Sequence, residues 1–176
     1  MQRTPEFRAL SRWGQVPVLQ HGKAVLCQSV AILEFLAETL GTFGSTDAAA
    51  RRFIREWLYW DADRLAPPVY GCYGVRLGEQ GLLPIAVDPV LAADCRRRLD
   101  AALNSLDAEL GGRSFLAAGA PTTADLCCYG DVIFAELCGI APHRWPAFAG
   151  WAGRLSALSG WQPPFDLLPM ADAEIA

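Results

Sequence analysis

The chain has 176 residues, of which 52% are hydrophobic and 19% charged, enough for one full domain or for a small piece joined to a larger one and too apolar to stay disordered. Its net charge of −4 argues against a nucleic-acid surface, which needs a basic stripe; the one dense basic run, Arg96-Arg97-Arg98, is flanked by Asp94 and Asp100 and reads as a solvated helix face. No stretch approaches the ~20 uninterrupted apolar residues of a membrane-crossing helix, and the opening MQRTPEFRALSRWGQ holds no apolar run of the secretory type.

Val16–Leu19 and Ala24–Leu26 are short β-type runs, and the polar link Gln20-His21-Gly22-Lys23 between them predicts a hairpin. Ser29 then opens a helix whose apolar residues Val30, Leu33, Leu36, Ala37 and Leu40 recur at three and four. Gly41 closes it where a left-handed residue is wanted. A β-β-α piece of this size buries too little to hold its own core. From Ser45 onward the pattern is helical. A long helix is expected from Thr46, as N-cap, to just before Pro67-Pro68, with a stripe of Phe53, Ile54, Trp57, Leu58 and Leu65 and with Trp60 at its margin. Residues 67–86 hold three Pro and four Gly and predict a loop or broken turn.

Asp88-Pro89 marks an N-cap followed by proline at the first helical position. The helix after it carries Leu91, Cys95, Leu99, Leu103, Leu106 and Leu110 and stops at Gly111-Gly112. A further helix spans about Thr122 to Cys138, stopped by Gly139. Another runs from near Pro146 to Gly160 on a stripe of Phe148, Trp151, Ala152, Leu155 and Leu158, and the tail after Pro163-Pro164 is expected to be loosely ordered. The six cysteines (Cys27, Cys72, Cys95, Cys127, Cys128 and Cys138) have spacings that fit neither a zinc site nor a CxxC pair. Four of them fall inside apolar helical patterns as small hydrophobes, which fits a reducing cytoplasm.

Three blocks stand out together. Gly-Gln-Val-Pro-Val-Leu (residues 14–19) is followed by a turn and by Gln28-Ser29 opening a helix; Ala120-Pro121-Thr122-Thr123-Ala124-Asp125-Leu126 opens another; Trp145-Pro146-Ala147-Phe148-Ala149-Gly150-Trp151 opens a third. At these spacings, ahead of an all-helical remainder, they resemble the glutathione transferases over most of residues 4–162. The resemblance implies an α+β, mostly α fold: a partial thioredoxin-like β-β-α unit (residues 1–42), an all-α glutathione-transferase-type C-terminal helical bundle (45–162) and a tail (163–176).

It also implies a site. In the family the proline of the Val-Pro step is cis and turns the preceding backbone, here that of Val16 beside Pro17, toward a peptide ligand. A helix start offers free N–H groups and partial positive charge to a carboxylate, and Gln28-Ser29 matches the position that holds the γ-glutamyl end of glutathione. Gln15 matches a position that often reaches the other carboxylate. Taken alone, Ser29 reads as no more than a helix cap; with the resemblance, a glutathione site stands beside a retained but unused one. Thr122-x-x-Asp125 reads as a structural capping box, with Thr122 accepting from the third amide and Asp125 reaching back.

Glutathione is thus the expected co-substrate, with a small-molecule electrophile as its partner and no metal, nucleic acid or membrane. The Tyr, Ser or Cys that activates the thiol in the family has no match here, because Met1 stands just ahead of the segment leading into the third strand. A truncated or misassigned start is the first expectation. The run Val16–Leu19 would then be an unpaired edge, to be covered by a homodimer or partner chain. Tyr70, Cys72 and Tyr73 are candidates either for a co-substrate pocket or for filling the junction between the two parts. Asp61 falls on the buried stripe, with Arg64 as its expected ion-pair partner. His21 and His143 look exposed, and the adjacent Cys127 and Cys128 are expected on different helix faces. The alternative to a transferase is a non-catalytic interaction module on the same fold.

Overall fold

In the computed structural model, residues 3–133 and 136–167 are described, the side chains of Glu136 and Phe165 excepted. The first element is a short helix, α1 (Pro5–Leu10), absent from the expectations above. Its signal is the Thr-Pro pair: Thr4 Oγ1 accepts from the Phe7 N–H at 3.3 Å, and Pro5 takes the first position, where no donor is missed. The same signal at Asp88-Pro89 starts a later helix.

Strands β1 (Val18–His21) and β2 (Ala24–Cys27) form the expected antiparallel hairpin. Val18 lies opposite Cys27 and His21 opposite Ala24, so Gly22-Lys23 is a two-residue turn. The ladder starts at Val18 rather than Val16, since Pro17 has no N–H to give it. Helix α2 (Ser29–Leu40) follows, and Gly41 ends it at φ +65°, a conformation glycine reaches without a Cβ clash. The Thr123 N–H donates to Phe43 O at 2.8 Å and ties this part to the helical body.

Helix α3 (Ala48–Trp60) is capped by Asp47, not Thr46, through an Ala50 N–H to Asp47 Oδ2 bond of 2.6 Å. Its buried residues are Ile54, Trp57 and Leu58; Phe53, expected among them, is 50% exposed. The helix does not stop at the prolines. A five-residue π turn (Asp61–Leu65) leads directly into α4 (Ala66–Glu79), and the region expected as loop is helical to Glu79. Pro67 and Pro68 sit in the first turn of α4, where a missing N–H costs little. Two of the three glycines of α4 are contact points rather than breakers: a Cβ at Gly71 would lie 2.6 Å from Cys95 Sγ, and one at Gly78 2.9 Å from both Ile85 and Val87, whereas one at Gly74 meets nothing within 4 Å.

Helix α5 (Pro89–Leu110) is capped by Asp88, which accepts the Val90 N–H at 2.8 Å. Leu99, Leu103 and Leu106 are fully buried on the expected stripe, whereas Leu91 at its start is 63% exposed. Helix α6 (Thr123–Val132) ends before the expected Cys138; a 3-10 turn covers Glu136–Cys138, and residues 134 and 135 lie outside the described residues. Helix α7 (Pro146–Ser156) has no cap of its own and ends four residues short of Gly160. Helix α5 supplies what it lacks: Asp107 Oδ1 accepts the Phe148 N–H at 2.8 Å, and Asn104 Oδ1 accepts the Trp145 indole N–H at 2.7 Å. The core runs between α3, the π turn, α4, α5, α6 and α7 around Leu65, Val69, Leu103, Leu106, Trp151 and Leu155. Each such side chain contributes about 1.5–3 kcal/mol by leaving water. A last turn, α8 (Pro164–Leu167), lies in the expected tail, whose residues 168–176 fall outside the described ones.

Candidate functional site

The end of the hairpin away from its turn gathers the first group of residues. Ser11, 1% exposed and overlooked in the sequence, clamps the loop that leads there. Its Oγ donates to Gln15 O at 2.8 Å and accepts the Gln15 N–H at 2.9 Å. Cys27 Sγ donates to Leu10 O at 3.8 Å and anchors the same loop from β2. Past this clamp come Gln15, Val16 and Pro17, all exposed, with the Val16–Pro17 peptide bond cis as the resemblance implied.

Because Val18 pairs with Cys27, the residues just before the one and just after the other emerge at the same end of the sheet. On the second strand these are Gln28 and Ser29, both exposed. Gln28 has φ +92° and ψ +122°, a conformation that strains any residue with a Cβ by about 1–3 kcal/mol. Its side chain makes no capping bond. Ile32 is the first residue of α2 whose N–H bonds back, to Gln28 O at 3.1 Å, so the N–H groups of Ser29, Val30 and Ala31 have no helical acceptor. These donors and the helix dipole favour negative charge at the α2 start.

The second group does not converge. Tyr70 is 56% exposed, and its hydroxyl donates to Asp131 Oδ1 on α6 at 2.8 Å. Cys72 is buried on another face of α4, against a cavity of about 390 Å³ that Val75, Arg96 and Cys138 also line. Tyr73 is half-buried. Burial pushes the Cys72 thiol up to about 11 and also raises Cys127, Cys128 and Cys138, which keeps these sulfurs as unreactive thiols.

Asp125 is fully buried and fully used. Its Oδ1 accepts from the Leu116 N–H (2.8 Å) and the Trp151 indole N–H (2.9 Å). Its Oδ2 accepts from the Thr122 N–H (2.8 Å) and the Thr122 hydroxyl (2.9 Å), and the capping box is closed on both sides. With four donors engaged the carboxylate is a structural element. His21, exposed, stacks at a tilt on Phe35 with 5.5 Å between rings, and His143, exposed, lies in the turn Pro142–Arg144.

Asp61 departs from its expected pairing. Arg64 binds Asp63 instead, at 2.8 Å and in solvent, while Asp61 is 3% exposed and points toward α6. Cys127 Sγ donates to its Oδ2 at 3.2 Å. Burial, then the charge of Asp131, push the Asp61 carboxyl up to about 7; burial raises Asp131 as well, against the hydrogen bonds from Tyr70 and Asp61. The Tyr70 phenol is raised by burial and by its bond to Asp131.

A solved glutathione S-transferase from Xanthobacter autotrophicus matches this chain with a TM-score of 0.81 and 30% identity, covering 94% of this chain and 80% of that one. The chain belongs to the glutathione S-transferase family. Family descriptions place the glutathione S-transferase N-terminal domain at residues 1–39 and the C-terminal domain at 88–154. Human glutathione S-transferase theta-2 is 31% identical over 166 residues, which are 90% of this chain and 66% of the human one. The crystal structure of human theta-2 in complex with glutathione and an unknown ligand gives a TM-score of 0.76 at 29% identity, covering 88% of this chain and 65% of that one. The chain thus spans just under two thirds of the length of these theta-2 relatives. Its glutathione S-transferase fold is the mostly helical α+β arrangement expected from the motifs. Among the described residues no helix is long and apolar enough to cross a membrane.

Proposed function

We propose that this chain binds glutathione at the open end of its hairpin and serves in a transferase that joins the glutathione sulfur to an electrophilic small molecule. The observation that carries this reading is the strained Gln28 ahead of an uncapped α2 start, on the same end of the sheet as the exposed Val16 backbone. Gln28 and Ser29 hold the γ-glutamyl carboxylate, Val16 beside Pro17 aligns the cysteinyl backbone, and Gln15 reaches the glycyl carboxylate. The thiolate attacks an electron-poor carbon of the electrophile, and the carbon–sulfur bond forms as a leaving group departs with its electron pair or a multiple bond opens. Residues 1–42 form the glutathione-binding unit and 45–162 the helical domain that walls the electrophile, with Tyr70 and Tyr73 as wall residues.

The cytoplasm is the compartment proposed, in keeping with free cysteines throughout. A homodimer or a partner chain covering the strand at Val16–Leu19 is the assembly proposed, since the outer edge of β1 pairs with no strand among the described residues.

One observation favours a second reading, a non-catalytic interaction module. The outer edge of β1 pairs with no strand among the described residues, and Trp13 and Val16 beside it are 54% and 60% exposed. Immobilised glutathione separates the two. Retention of the chain, with loss of retention in Ser29→Ala and Gln28→Ala, supports glutathione binding. Passage through the resin, together with a stable complex with another protein, supports the module.

A further inference from the structure

The π turn begins at Asp61 and buries that carboxyl against α6, with consequences independent of the glutathione reading. An ionised carboxylate offers about four acceptor positions. Asp61 has only weak thiol donors, the Cys127 S–H on Oδ2 and Cys128 behind it, and Oδ1 is fully buried with no hydrogen-bond partner among the described residues. A buried anion so poorly supplied is not sustained. One helical turn after Cys127 on α6, and bound by Tyr70, stands a second carboxyl, that of Asp131, whose charge acts on Asp61. Two ionised carboxylates hold only acceptors and repel, so contact between them requires a proton in the gap.

The surroundings supply no other remedy. Helix α6 presents Cys127, Cys128 and Asp131 to Asp61, and α4 presents Tyr70. Helices α3 and α5 also pack on the π turn, and beyond burial itself the largest influences on Asp61 come from α6, through Asp131, Cys127 and Cys128. None of the largest influences on Asp61 comes from a Lys, Arg or His.

We propose that Asp61 and Asp131 share one proton and form a pH-sensitive latch that fastens the π turn to α6. The Asp61 O–H donates from Oδ1 to Asp131, which gives the orphaned oxygen its bond. Tyr70 donates to Asp131 from α4, and Cys127 donates to Asp61 from α6. The network then carries a single negative charge and joins three elements. When the shared proton leaves, two anions face each other with no counter-ion, and the contact between the π turn and α6 loosens. Tyr70 lies on the surface end of the network, so its ring position follows the latch.

The test is a titration of the whole chain, followed by the NMR signals of its aspartate carboxyl carbons and by its thermal midpoint from about pH 5 to about pH 9. One carboxyl signal is expected to titrate near neutrality and to vanish in Asp61→Asn. The thermal midpoint is expected to fall across that range in the wild type and to stay nearly level in Asp61→Asn. Should Asp61→Asn not fold, Asp131→Asn serves instead: its amide donates to Asp61, whose titration then drops toward the ordinary carboxylate range. If every aspartate of the wild type titrates in that ordinary range, no proton is shared. If one titrates near neutrality while the midpoint changes alike in wild type and variant, there is no latch. Either result overturns the proposal.

Discussion

Val18 and Cys27 face each other across the hairpin, and this one pairing brings the two halves of the candidate site together. Gln15, Val16 and Pro17 precede the first residue and Gln28 and Ser29 follow the second, so a ligand at that end touches both. The strain at Gln28 belongs to this geometry. Replacing it with glycine, which tolerates positive φ, is expected to stabilise the fold by about 1 kcal/mol while weakening glutathione binding. Thermal unfolding and glutathione titration of Gln28→Gly measure the two effects. A variant both less stable and unaltered in binding contradicts this reading of Gln28.

Asp125 gathers four hydrogen bonds from Leu116, Thr122 and Trp151 with no solvent exposure. Asp125→Ala leaves buried donors unsatisfied, and each costs about 1–3 kcal/mol. A loss of about 3 kcal/mol or more is expected in urea unfolding, enough to remove much of the stability of a domain. A loss below about 1 kcal/mol would mean that the box is replaceable.

Two glycines of α4 are expected to respond with opposite sign. A Cβ on Gly71 meets Cys95 Sγ at 2.6 Å, so Gly71→Ala pushes α4 from α5 and is expected to cost about 1–3 kcal/mol. A Cβ on Gly74 meets nothing within 4 Å, so Gly74→Ala is expected to gain about 0.5–1 kcal/mol from helix propensity. Denaturant midpoints of the pair check both. Equal effects would show that α4 and α5 are not closely packed at Gly71.

Stability also carries a pH signature. The folded Asp61 carboxyl sits near 7, against 3.8 when unfolded, so between these values the native state keeps a proton that the unfolded chain releases. The contribution is fully present below about 3.8, declines by about 1.4 kcal/mol per pH unit and levels off above about 7. Asp131, also raised, acts in the same direction. The chain is therefore expected to be harder to unfold by urea at pH 5 than at pH 8 through this pair. A reversed difference that persists in Asp61→Asn would assign the pH dependence to other groups.

Much of the fold was legible because its signals are local. Gly22 in the turn, Ser29 and Gly41 at the ends of α2, Asp88-Pro89 and Thr122-x-x-Asp125 each act within a few residues of themselves. What escaped depends on distant partners. Pro67-Pro68 read as a stop because nothing nearby shows that a π turn carries the helix into them. Gly71 read as a breaker because its reason, Cys95, lies on the next helix. The Asp61 network joins side chains 66 positions apart to Cys127, and the Tyr70–Asp131 bond spans 61, so no spacing rule reaches either. Within the candidate site, Gln28 was singled out by resemblance, whereas its positive φ and the Ser11 clamp appear only in three dimensions.

Glutathione recognition at the start of α2 is tested most directly by amide NMR of the chain during addition of glutathione and, separately, of cysteinylglycine, which lacks the γ-glutamyl end. Glutathione is expected to move the amide signals of Ser29, Val30 and Ala31, and cysteinylglycine to leave them in place. Signals at these three residues that stay still under saturating glutathione, or that respond equally to both peptides, would contradict a carboxylate held by that helix end.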